Sequence, residues 1–249
     1  MSQRPYIGVT GFMSRGEVEA ALEARGRRTA QAGRKLMVGV LASSKTLAGN
    51  KNKFPNRTPK VEDIAGIFPN EKWTLNLIHY ATDEPETLGE QLNRLVDLGG
   101  PYLEGFQLNV PWPDPMHLKS FKHMRIVLQV GKRALEAMGN DHQRVAEQLV
   151  AYRGLISDVL VDASGGLGLK LDPEAAWFHL RAIAERHPSL GLGIAGGLSG
   201  ETVGELATLM HDFPHLSFDA EGRLRTKDED HLDIRALKAY LLAGDQLPI

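Results

Sequence analysis

Residues Ser157 to Ala195 read SDVLVDASGGLGLKLDPEAAWFHLRAIAERHPSLGLGIA, and three signals in that stretch decide the architecture. Ser157–Val161 is a short apolar run of the kind that forms a strand buried on both faces. After a glycine-rich turn, Asp172-Pro173 places a capping oxygen before a proline whose fixed φ suits the first helical turn. PEAAWFHLRAIAE is amphipathic, and Gly191–Ala195 reads as a second strand. Strand, helix and strand within about 30 residues make a parallel βαβ unit.

The same unit repeats outward in both directions. Strands are expected at Tyr6–Thr10, Leu36–Leu41, Thr74–Tyr80, Glu104–Leu108, Arg125–Val130 and His215–Phe218, with the two above making eight. ETLGEQLNRLVDL and DHQRVAEQLVAY supply amphipathic stretches, and Ser14 with Glu17 reads as a capping box. Thr58-Pro59 and Asp114-Pro115 repeat the cap-then-proline pattern. A helical stretch follows each strand, and 249 residues divided by eight give about 31 per unit, close to one βαβ repeat. No GxGxxG follows the first strand, which disfavours an open dinucleotide-binding sheet. The expected fold is a closed TIM (β/α)8 barrel, eight parallel strands with outer helices, as one domain over residues 1–249.

Lys plus Arg number 29 against 31 Asp plus Glu, so the broad basic footprint of a nucleic-acid partner is missing. No apolar run reaches the roughly 20 residues that span a bilayer. MSQRPYIGV lacks the apolar core of a signal peptide, and a cytoplasmic location is expected. The chain has no cysteine, which excludes disulfides and thiolate chemistry, and no HxH or HExxH spacing suggests a metal.

In such a barrel the site lies at the C-terminal ends of the strands. There the chain presents Thr10, Ser43, His79, Gln107 with Asn109, Gln129, Asp162 with Ser164, Gly196 with Gly197, and Asp219. Polar groups converging on one mouth suit a small-molecule pocket. Asp162, beside apolar walls, suits a general acid, and His79 a base near neutral pH. Gly196, Gly197 and Ser199, before an expected helix Glu201–Met210, suit an anion. The loop Ser43–Lys60 carries Lys45, Lys51, Lys53, Arg57 and Lys60, a basic lid for an anionic ligand, and Arg57 is suited to a bidentate grip on an acid. Trp112, between prolines, either walls the pocket or packs on a neighbouring helix.

Several of these stretches resemble, in order, those of the phosphoribosylanthranilate isomerases. DASGGLGLKLD (Asp162–Asp172) is similar to that family's Asp-to-glycine loop, and AGGLSGETV (Ala195–Val203) to its phosphate loop. FQLN (Phe106–Asn109), Arg57 in NRTPKVEDI, GVTGF (Gly8–Phe12) and SFDAEG (Ser217–Gly222) match further elements. The resemblance implies an Amadori-type isomerase on a phosphorylated sugar amine, working by acid–base chemistry without a cofactor. It implies Asp162 as general acid, Arg57 on the substrate carboxylate, and Gly197 and Gly222 on phosphate. Gln107, Asn109 and Ser164 would orient the sugar, and the partner would be a small anionic metabolite. Thr10 stands where the family has its cysteine base, and a hydroxyl has little basicity near neutral pH. Asp219 and Glu221 stand where the family has serines, with Arg223 and Arg225 nearby. Two other readings stay open: a barrel that binds without turnover, and a Schiff-base lyase or aldolase using Lys132 or Lys170.

Overall fold

The computed structural model describes residues 4–162 and 171–249. Eight parallel strands close into a barrel in the order of the chain. They are β1 (Tyr6–Thr10), β2 (Lys35–Ser43), β3 (Thr74–Ala81), β4 (Gly105–Leu108), β5 (Arg125–Gly131), β6 (Asp158–Asp162), β7 (Gly191–Ala195) and β8 (Ser217–Ala220). The expected bounds of β1 and β7 are met; β8 starts later, because Leu216 donates its N–H to Phe213 in a turn. The seam is made by β1 against β8, with Ile7 opposite Phe218, Gly8 opposite Asp219 and Val9 opposite Ala220.

Strand alternation sends one set of side chains inward and the other toward the helices. Tyr6, Met37, Leu75, Leu77, Val127, Leu160 and Ala195 form an apolar plug of their own. A larger cluster lies between strands and helices, where Ile7, Val38, Ile78, Phe106, Leu128, Val159, Ile194 and Phe218 are buried. Burying each such side chain contributes roughly 2 kcal/mol. At the N-terminal end of the barrel Arg125 grips buried Asp158 through two hydrogen bonds of 2.8 Å. No helix among the described residues is long and apolar enough to cross a membrane.

The helical layer departs from expectation in four places. Ser14 caps its helix as expected, accepting from the Glu17 N–H at 3.3 Å, but the Glu17 carboxylate reaches back to Met13. After β4 there is only a 3-10 segment, Pro115–Phe121, with Pro115 in its first turn. Asp114 still caps it, accepting from Met116. Thr58 caps nothing: its hydroxyl donates to Phe54, and the next helical turn starts at Val61. The expected helix Glu201–Met210 is a 3-10 turn, Val203–Leu206, followed by a short helix, Ala207–Asp212. The Thr202 hydroxyl holds that turn, accepting from Ser199 N–H at 2.9 Å and donating to Gly197 carbonyl at 2.9 Å.

Candidate active site

Thr10, His79, Gln107, Gln129, Asp162 and Asp219 are all buried, and all but Thr10 line one recess at the mouth of the barrel. Register places them: Asp162 lies opposite Ala195, Ala195 opposite Asp219, and His79 opposite Gln107. One chain of hydrogen bonds joins them. Thr10 Oγ1 donates to Asp219 Oδ2 at 2.9 Å. Gln107 Nε2 reaches Asp219 Oδ2 at 3.0 Å, Gln129 Oε1 at 3.2 Å and His79 Nδ1 at 3.0 Å. Gln129 Nε2 then donates to Asp162 Oδ2 at 3.0 Å.

Two glycines make room for this layer. A Cβ on Gly8 would stand 2.6 Å from Asp219 Oδ1, and one on Gly39 would stand 2.6 Å from Thr10 Oγ1. Both are closer than packed atoms tolerate, so the acid and its donor sit where neighbouring strands carry no side chain.

Burial pushes the Asp219 carboxyl up to about 7, against the lowering effect of the hydrogen bonds from Gln107 and Thr10. Glu221 and Asp162 add like-charge repulsion. Gln107 has two amide hydrogens for three acceptors, so its support of the carboxylate is shared. His79 is pushed below its ordinary value, chiefly by burial, with Glu221 and Asp162 opposing. A neutral ring that accepts from Gln107 at Nδ1 carries its hydrogen on Nε2. The pair thus offers a carboxyl that exchanges a proton near neutral pH beside an imidazole that stays neutral.

Above this layer the mouth opens into a cavity of about 460 Å³, adjoined by the deeper recess of about 40 Å³. His79, Gln129 and Glu221 line both. The large cavity is bounded by Ser43, Lys45, Lys53, Arg57, Asn109, Lys132 and Arg133, the recess by Gly196, Gly197, Gly222 and Arg223 among others. Arg57 is already paired within the chain. It grips Asp230 through two hydrogen bonds of 2.7 and 2.5 Å and reaches Glu221 at 2.8 Å. Asn56 adds a bond to the Glu229 carbonyl at 2.7 Å. The loop after β2 is therefore tied to the loop after β8.

The structure gathers Asp162, His79 and Gln107 as the sequence suggested, with Thr10 as the donor to Asp219 rather than as a base. Asn109 lines the cavity, and its backbone N–H donates to the Tyr80 carbonyl of β3. Gly196, Gly197 and Gly222 line the recess, but no α-helix starts behind the first two, so the dipole expected there is missing. Ser199 is spent on its turn, its hydroxyl accepting from Glu201 at 3.3 Å. Ser164 and Lys170 lie outside the described residues. Lys132 is more than half exposed and 3.9 Å from Glu136, unlike the apolar surroundings that activate a Schiff-base amine. Trp112 packs on a helix, donating to the Ala134 carbonyl at 3.0 Å, with its ring 6.2 Å from Tyr152. Asp219, one of the strand-end polar residues with no chemical role assigned from sequence, proves central to the network, accepting from both Thr10 and Gln107.

No family model and no curated protein sequence matches the chain. Solved structures do match its fold. A phosphoribosylanthranilate isomerase in complex with reduced 1-(o-carboxyphenylamino)-1-deoxyribulose 5-phosphate is 16% identical at a TM-score of 0.63, covering 98% of this chain and 100% of that one. The Thermotoga maritima phosphoribosylanthranilate isomerase is 15% identical at 0.63, with coverages of 98% and 100%. A chitinase catalytic domain from Pyrococcus furiosus is 10% identical at 0.55, covering 99% of this chain and 97% of that one. At such identities the likeness carries the (β/α)8 barrel, an architecture that hosts many chemistries.

Proposed function

We propose that this chain is a barrel enzyme of the acid–base, isomerase type, acting on a small anionic metabolite derived from a phosphorylated sugar. Asp219 moves the proton, with Asp162 as the second carboxylate and His79 Nε2 as a hydrogen-bond donor to a substrate oxygen. The observation that carries this reading is a buried strand-end carboxyl, held by Thr10 and Gln107, whose pKa lies near 7. General acid–base catalysis works best when the group's pKa is close to the working pH. Such proton transfer requires no cofactor. Thr10 orients the acid and does not replace it as a base.

The test does not require the substrate to be known in advance. Incubating the protein in D2O with a panel of aldose and ketose phosphates and their amino derivatives reveals carbon-bound protons that exchange, by NMR. Exchange in one compound is expected, slowed about 100-fold or more by Asp219→Asn. No exchange across the panel, or exchange that survives Asp219→Asn, rejects the reading.

A further inference from the structure

The mouth of the barrel is electrically lopsided. Its β2 and β5 side carries Lys45, Lys53, Lys132 and Arg133, all exposed, with Asp83 the acid on that rim. The β6 and β8 side carries Asp162, Asp219 and Glu221, with Arg223 as the cation lining the recess. Arg57 stands between the two and is spent on Asp230 and Glu221. Gln107, one of the residues lining the recess, also carries an acceptor without a donor. Gln107 is 1% exposed, and its Oε1 is buried without a hydrogen-bond partner among the described residues. A buried carbonyl oxygen left unpaired costs free energy that a donor from a ligand would recover.

Resting on the acid–base reading above, we propose that the ligand is zwitterionic: its amine enters the recess, and its phosphate or carboxylate lies against the lysines and Arg133. An ammonium group brings three donors and no acceptor, which matches the Gln107 oxygen and the carboxylates of Asp219 and Asp162. A phosphate in the same recess would face the carboxylates of Asp162 and Asp219, and a Glu221 already paired with Arg57, against Arg223 as the cation lining it. The anion thus lies across the mouth from the glycine turn at Gly196 and Gly197.

Calorimetric titration at pH 7 with glucosamine 6-phosphate and glucose 6-phosphate tests this, since the two differ only in an amine for a hydroxyl. The amino sugar is expected to bind about tenfold tighter, as a charge-assisted hydrogen bond implies. Asp219→Asn should bring the ratio to about one. Should that variant not fold, as judged by its melt, Asp162→Asn should lower the ratio instead. Replacing Lys132 and Arg133 together by Ala should weaken both sugars and keep the ratio. Equal affinities, binding of neither sugar, or a ratio that outlives the loss of the carboxylate overturns the proposal. The acid–base reading fails by a different result, a carboxyl of Asp219 that titrates near its ordinary value.

Discussion

Asp219 follows Phe218 in β8, and alternation sends the ring outward against Tyr240, at 6.1 Å, and the carboxyl into the barrel. That placement has a cost that depends on pH. A carboxyl whose pKa is raised in the folded state holds its proton more tightly there than in the unfolded chain. Its contribution to stability is fully present below about pH 4 and is lost as the pH rises toward 7. Asp219→Asn removes the titration and keeps an acceptor for Gln107. Relative to the wild type it should gain stability on the order of 4 kcal/mol between pH 4 and pH 8. Urea denaturation at the two pH values checks the difference, and an equal offset at both would contradict the raised pKa. Thr10→Val, of nearly the same shape, deletes a hydrogen bond that lowers the pKa. The Asp219 carboxyl resonance should then titrate higher than in the wild type, and a downward move would contradict the assigned role of Thr10.

At the scale of elements, the loops after β2 and β8 meet through Arg57, Asp230, Glu221 and Asn56. Arg57 is mostly buried, so the pair with Asp230 is worth more than an exposed ion pair, although part of the gain offsets desolvation. Arg57→Leu should raise hydrogen exchange in residues 52–58 and 221–232 while leaving the barrel strands protected. Unchanged exchange in both loops would mean that the loops hold without the tie. The elements themselves were legible in the sequence. Apolar runs of Val, Ile and Leu marked most strands, and the polar residues at the strand ends marked the mouth. What was not legible was who pairs with whom. Arg57 looked free for a substrate because Asp230 is 173 residues away, and Thr10 meets Asp219 across 209. The misplaced helix at Glu201 has a local cause: Ser199 and Thr202 bond the backbone with their own side chains, which favours a turn over a helix.

For the whole molecule, function depends on the closure of the barrel between its first strand and its last. Arg34, 2% exposed, immediately precedes β2 and bonds the carbonyls of Leu216 at 3.1 Å and Pro248 at 2.8 Å. Its guanidinium lies 5.4 Å from the centroid of the Phe218 ring. Arg25 pairs with Asp245 at 2.6 Å and donates to the Arg34 carbonyl at 2.9 Å, so the first helix, Arg15–Ala32, holds the C-terminal end of the last, Ile234–Gly244. These residues stitch the seam from below, and the site crosses the same seam above, where Thr10 on β1 meets Asp219 on β8. Arg34→Leu leaves buried carbonyls without their donor and should cost about 3 kcal/mol in urea denaturation. Because the lost bonds lie at the N-terminal end of β8, the variant also asks whether the barrel transmits strain to its mouth. A close-packed interior does so. The Thr10–Asp219 bond should lengthen, and the carboxyl should titrate higher than in the wild type. A destabilised variant with Asp219 unmoved would show instead that the mouth is held by its own network of Gln107, Gln129 and Thr10.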